Sequence, residues 1–131
     1  MTYRRVKDPK GIGVLFKTHL RDGADIATYE RTSRRMRELV SRIPGFISIK
    51  GYTSDDGEEI DLVRFESEDA LKAWREQPEH RDAQRRGRDE YDRYSVQACR
   101  VFREYEFFAG DLEAIAQSSV VQRGATERRT R

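Results

Sequence analysis

The stretch from Phe65 to Tyr94 concentrates the side chains of this chain that could do chemistry. His80, Gln84, Arg88 and Tyr91 follow one another at spacings of 4, 4 and 3, so on a continuous helix they share one face. An imidazole exchanges protons near neutrality. A carboxamide and a phenol both donate and accept, and a guanidinium donates to anions. That set is unusual for a face meant only for packing and suits the polar wall of a small-molecule pocket. Tyr94 follows one turn later, and Trp74, the single tryptophan, precedes the set on an apolar helix face.

Each residue also has a structural reading. Trp74 lies at helical spacing from Ala70 and Leu71, which fits a helix packed on a sheet. His80, directly after Pro78-Glu79 at a helix start, fits an exposed surface position as well as a pocket. Tyr91 and Tyr94 can pack on a sheet with their hydroxyls at its rim, and Arg88 can be a solvated helix residue. His19 reads as a strand-end surface residue and Cys99 as an inert buried thiol. The sequence shows no glycine-rich phosphate loop, no Ser-His-Asp order and no histidine–carboxylate cluster. With two histidines and one cysteine, a protein metal site is not expected.

The elements that position these residues are legible from periodicity. Ile12–Leu20 reads as a strand. Arg21-Asp22-Gly23 is a turn, and Asp25 puts negative charge where the dipole of the next helix favours it. Ile26, Tyr29, Met36, Leu39, Val40 and Ile43 mark the buried stripe of that helix, with Arg31, Arg34, Arg35 and Arg42 facing water. Pro44-Gly45 stops it. Phe46–Thr53 and Glu58–Glu66 form a hairpin around Asp56-Gly57. Ser67 caps a second helix, Pro78 starts another helical piece reaching about Glu90, and Tyr94–Phe107 is the last strand. Leu112–Gln117 reads as a short helix, and residues 118–131 as disordered.

Strand, helix, strand, strand, helix, strand predicts an α+β, ferredoxin-like βαββαβ fold with an antiparallel sheet and both helices on one face. The other face then keeps apolar residues such as Ile47, Ile49 and Val101 or their alternates. An uncovered apolar face marks an interface, which predicts a homodimer with the sheets packed face to face.

Composition narrows the function class. At 131 residues and 15.4 kDa the chain holds one domain: a basic arm over 1–10, a folded body over 11–109 and an extension over 110–131. The net charge of +2 is divided unevenly. The segments 1–10 and 121–131 carry +3 each, which leaves −4 on residues 11–120. Phosphate binding needs excess positive charge on the folded body, so a nucleic-acid partner is not expected. No apolar run approaches 18 residues and no signal-like segment is present, which predicts a soluble cytoplasmic protein without a membrane partner.

Ile43-Pro44-Gly45-Phe46, Asp56-Gly57, Phe65-Glu66-Ser67-Glu68, Ala73-Trp74, Pro78-Glu79-His80-Arg81 and Gln84-Arg85-Arg86-Gly87-Arg88 together resemble the antibiotic biosynthesis monooxygenase family, over about Gly11 to Phe107. The resemblance implies a dimeric α+β barrel and, where members are enzymes, oxygenation of an aromatic or polyketide-type phenol by O₂ without metal or flavin. On that reading His80 is the proton acceptor, Arg88 the anion partner, and Trp74, Gln84, Tyr91 and Tyr94 contact the substrate. Removing His80 should then slow turnover with little change in melting temperature. The rival reading is a non-catalytic binding module of the same fold. A haem-degrading branch shares the region around the tryptophan, but ten residues after Trp74 it carries an iron-ligating histidine where this chain has Gln84. It also carries a first-strand asparagine where this chain has Phe16. Haem would then need His80 from a shifted position.

Overall fold

The computed structural model describes residues 11–109 together with the backbone of residues 2–5. Two compact units divide it. Residues 11–100 form one, and the second is built from the ends of the chain.

The larger unit begins with β2 (Ile12–Leu20), preceded in the chain by β1 (Thr2–Arg5) of the other unit. Helix α1 (Ile26–Val40) starts at Asp25, whose carboxylate accepts from the Thr28 amide at 3.1 Å and the Thr28 hydroxyl at 2.7 Å. Asp25 thus acts as a true N-cap rather than only as a dipole charge, and these bonds hold its carboxyl below the usual carboxylate range. After the helix, Gly45 (φ +92°) turns the chain where a Cβ would meet the Ala70 Cβ at 2.8 Å. Only glycine serves both demands.

Strands β3 (Phe46–Thr53) and β4 (Glu59–Phe65) close a hairpin through Asp56-Gly57, with Gly57 at φ +87°. Ser67 caps α2 (Glu68–Glu76) by accepting from the Ala70 amide at 3.1 Å. Gln77 then ends α2 and begins α3 (Pro78–Gly87). Its amide donates to the Trp74 carbonyl at 3.2 Å, and its side-chain oxygen accepts from the His80 amide at 2.6 Å. Pro78 occupies the first turn, where no amide is missed. A single 3₁₀ turn, Arg88–Glu90, leads into β5 (Tyr91–Arg100).

The strand order is β3-β4-β2-β5, antiparallel at every neighbour. With the helices packed on one face, this is the ferredoxin-like arrangement expected from the sequence. Ile12, Val14, Val63 and Phe65 meet Leu39 and Val40 of α1 and Ala70 and Trp74 of α2 in a continuous buried cluster. Burying side chains of this size contributes about 1.5–3 kcal/mol each. Arg35 faces water as expected, its side chain 43% exposed, and there forms a two-pronged ion pair with Glu79 at 2.7 and 3.1 Å that ties α1 to α3.

Register decides which residues face away from the helices. Leu15 pairs with Leu62, Lys17 with Ile60, and Tyr52 with Ile60, so these share the helix-free face. The expectation named Ile49 there. In the structure Ile49 pairs with buried Val63 and packs on the core, because a register shift between Phe46 and Ser48 changes the alternation. Val101 is outside the four-stranded sheet.

The smaller unit contains a strand pair absent from the sequence reading. Thr2–Arg5 (β1) pairs antiparallel with Tyr105–Phe108 (β6). The final strand, expected to run from Tyr94 to Phe107, is therefore two strands, one ending at Arg100 and the other starting at Tyr105. The expected helix at 112–117 and the tail at 118–131 lie outside the described residues. Among those described, no helix is long and apolar enough to cross a membrane.

Candidate functional site

A cavity of about 120 Å³ lies between α1, the start of α3 and the helix-facing side of the sheet. Trp74, His80, Gln84, Tyr91 and Tyr94 all line it. Five of the six expected site residues thus border one cavity, despite the break at Pro78. Arg88 is the exception. It borders the open groove outside the cavity, because at 3.6 residues per turn two four-residue steps carry it about 80° around the helix from His80.

His80 is the centre of the arrangement. Only 6% exposed, its ring stacks on Trp74 with centroids 3.9 Å apart and planes 12° apart, and meets Phe16 edge-on at 6.3 Å. Trp74 thus serves as core and as cavity wall at once. Nδ1 of His80 lies 3.0 Å from the Trp74 carbonyl. A carbonyl only accepts, so Nδ1 carries the proton and donates. Nε2 of the neutral ring is then a lone-pair acceptor, and no described residue bonds it. Burial pushes the His80 pKa down, opposed only by the bond to Trp74, so the ring stays neutral at pH 7.

The opposite wall is phenolic. Tyr91 and Tyr94 stack with centroids 5.5 Å apart and planes 11° apart. Burial raises both pKa values, with Tyr94 and Glu90 adding to the effect at Tyr91 and a bond from Gln84 opposing it at Tyr94. Both therefore remain protonated donors. The Gln84 amide donates to the Tyr94 hydroxyl at 3.1 Å, leaving that hydroxyl's own proton to be given elsewhere. Tyr91 rests over Gly87, where an added Cβ would meet the phenol oxygen at 2.7 Å.

The sequence reading missed part of the site. Thr18 on β2, Thr32, Ser33 and Arg37 on α1, and Asp61 on β4 line the same cavity. Arg37 bonds Asp61 at 2.8 Å with both side chains about a quarter exposed. A signal existed: Thr32, Ser33 and Arg37 flank the apolar stripe Tyr29–Met36–Val40, at the edge where a helix turns from core to pocket. Cys99, expected to be buried, is exposed, since it pairs with Gly13 on the helix-free face. His19 sits near the end of its strand and bonds Asp92 at 2.7 Å. Among the described residues no group of three or more metal-binding side chains comes together.

An antiparallel ferredoxin-like unit with a small pocket between helices and sheet defines the class of fold. The model of the antibiotic biosynthesis monooxygenase family matches residues 12–86, and the chain belongs to that family. Among curated proteins it is similar to the uncharacterized protein YqjZ of Bacillus subtilis, 34% identical over 80 residues that cover 60% of this chain and 70% of YqjZ. Two solved structures share the fold. A dimeric ferredoxin-like protein of unknown function from Thermobifida fusca matches with a TM-score of 0.59 and 14% identity, over 70% of this chain and 91% of that one. A mutant form of SnoaB, a cofactor-independent oxygenase from Streptomyces nogalater, matches with a TM-score of 0.55 and 13% identity, over 79% and 97%.

Proposed function

We propose that this protein oxygenates an electron-rich phenolic small molecule with O₂, using no cofactor and acting as a homodimer in the cytoplasm. The observation that supports it most is His80: a buried, neutral imidazole with Nε2 open, held against an aromatic wall and facing two protonated phenols. The family membership supports the reaction class, as does the fold shared with SnoaB, itself a cofactor-independent oxygenase. The helix-free face with Leu15, Ile60 and Leu62 supports pairing of sheets, as does the dimeric relative.

In this mechanism Nε2 of His80 takes the phenolic proton. The phenolate passes one electron to O₂, and the resulting ring radical and superoxide combine to form a C–O bond. The peroxide recovers a proton from His80. Loss of the ring C–H proton and cleavage of the O–O bond release water and leave a carbonyl. Substrate plus O₂ gives a quinone plus water, so no external reductant is consumed. Energetics restrict the substrate. Moving a proton from an ordinary phenol to an ordinary imidazole costs about 5 kcal/mol, and burial of His80 adds to that. Tyr91 and Tyr94 donating to the phenolate offset part of the cost, which favours acidic, conjugated phenols such as hydroxynaphthalenes.

A binding module without chemistry is the second reading, favoured by the placement of Arg88 outside the cavity. Oxygen uptake with 1,5-dihydroxynaphthalene separates the two. The enzyme reading expects uptake that falls by roughly 10²–10⁴ in His80→Gln, the usual contribution of a positioned base. Quenching of Trp74 by the same compound without uptake establishes the binding module instead. A Soret band on titration with haem would replace both with a haem protein. A macrocycle is far larger than a cavity of about 120 Å³, so that haem would lie in the outer groove.

A further inference from the structure

The cavity does not stand alone. Phe16, His80 and Gln84 also border an open groove of about 840 Å³ between α2, α3 and β5. Its floor is apolar. Val96 and Ala98 of β5 pair with Phe16 and Val14 and so lie on the helix-facing side of the sheet, yet the helices leave them uncovered, with Val96 48% exposed. The rim is cationic. Arg75, Arg81, Arg85 and Arg88 border the groove against the single acid Glu76.

These arginines differ from their neighbours. Arg86 is taken up by Asp82 at 2.8 Å, and Arg85 leans on the same carboxylate at 3.5 Å. Among the described residues the guanidinium groups of Arg75, Arg81 and Arg88 have no ion-pair or hydrogen-bond partner. Arg81 and Arg88 are seven positions apart on one side of α3 and its 3₁₀ extension, while Arg75 comes from α2. Three unpaired guanidinium groups above an uncovered apolar strip, opening on an aromatic cavity, form a surface complementary to an amphiphilic anion.

We propose that the ligand of this site is an aromatic carboxylate anion, with its ring in the cavity beside Trp74 and His80, its apolar linker along Val96 and Ala98, and its carboxylate held by Arg75, Arg81 and Arg88. The proposal rests on the reading of the cavity as a small-molecule site and adds the charge class of the molecule. It gives Arg88 a role different from the one expected from the sequence. The residue anchors a remote carboxylate rather than the reacting phenolate.

Trp74 is the only tryptophan, so its fluorescence reports on the cavity directly. The test titrates the full chain with ω-phenylalkanoates of graded chain length and with the primary amide of each. The best acid should bind about tenfold tighter than its amide, the effect expected of charge-assisted hydrogen bonds. In the double variant Arg81→Gln/Arg88→Gln most of that preference should be lost while the affinity for the amide is unchanged. Arg75→Gln should remove part of it, and all these positions are exposed, so circular dichroism should show wild-type melting. Equal binding of acid and amide by the wild type, or an acid preference undiminished in the double variant, overturns the carboxylate assignment and leaves the cavity reading standing. Absence of quenching by acids and amides alike overturns both.

Discussion

Removing His80 tests the electrostatic state on which the proposed chemistry rests. His80→Ala deletes the bond from Nδ1 to the Trp74 carbonyl, a net loss of about 1 kcal/mol. That carbonyl keeps its bond from the Gln77 amide, so no orphaned acceptor adds to the cost. The stacked contact with Trp74 contributes about 0.5–1.5 kcal/mol more, and the buried ring leaves a gap beside the core. A loss of about 2–3 kcal/mol follows, or about 10–20 °C in melting temperature for a unit of this size. Little change in melting would follow only if the ring were at the surface, and it is buried. The sign of the pH dependence is specific. Burial lowers the His80 pKa in the folded state, so the unfolded chain binds the proton more readily, and folding loses stability as pH falls below about 6.5. The alanine variant lacks this penalty. Thermal unfolding of both proteins from pH 8 to pH 5 should therefore show a stability gap that is constant above about pH 7. Below about 6.5 the gap should narrow by at most about 1.4 kcal/mol per pH unit. A gap that stays constant or widens toward pH 5 would refute the buried, neutral imidazole, and with it the base proposed for catalysis.

Gly87→Ala should leave stability within about 1 kcal/mol of wild type, because alanine favours the helix and the group displaced is the far end of the Tyr91 side chain. Quenching of Trp74 by 1-naphthol should nonetheless weaken several-fold; unchanged affinity would remove Tyr91 from the cavity wall. Leu62→Asp places a charge at the centre of the helix-free face. Sedimentation should show wild type at about twice 15.4 kDa and the variant at that mass, and a wild-type monomer would end the dimer reading.

Local chemistry alone determined much of this protein. Ser67 and Pro78 announced their helix starts, Asp56-Gly57 its turn, and the alternation in Ile12–Leu20 its strand, because each depends on a few adjacent residues and their own backbone preferences. The i, i+4 spacing placed His80 and Gln84 on one side of a helix for the same reason. Rotation of that helix against the sheet was another matter. It decided that His80 is buried on Trp74, that Arg35 reaches Glu79 and that Arg37 meets Asp61, and such contacts join residues far apart in the chain. One register shift after Phe46 sent Ile49 to the core, since a single-residue change inverts every side chain of a strand. The pairing of Thr2–Arg5 with Tyr105–Phe108 had no local signal at all. A strand is completed by its hydrogen-bonded neighbour, and here that neighbour lies at the other end of the chain.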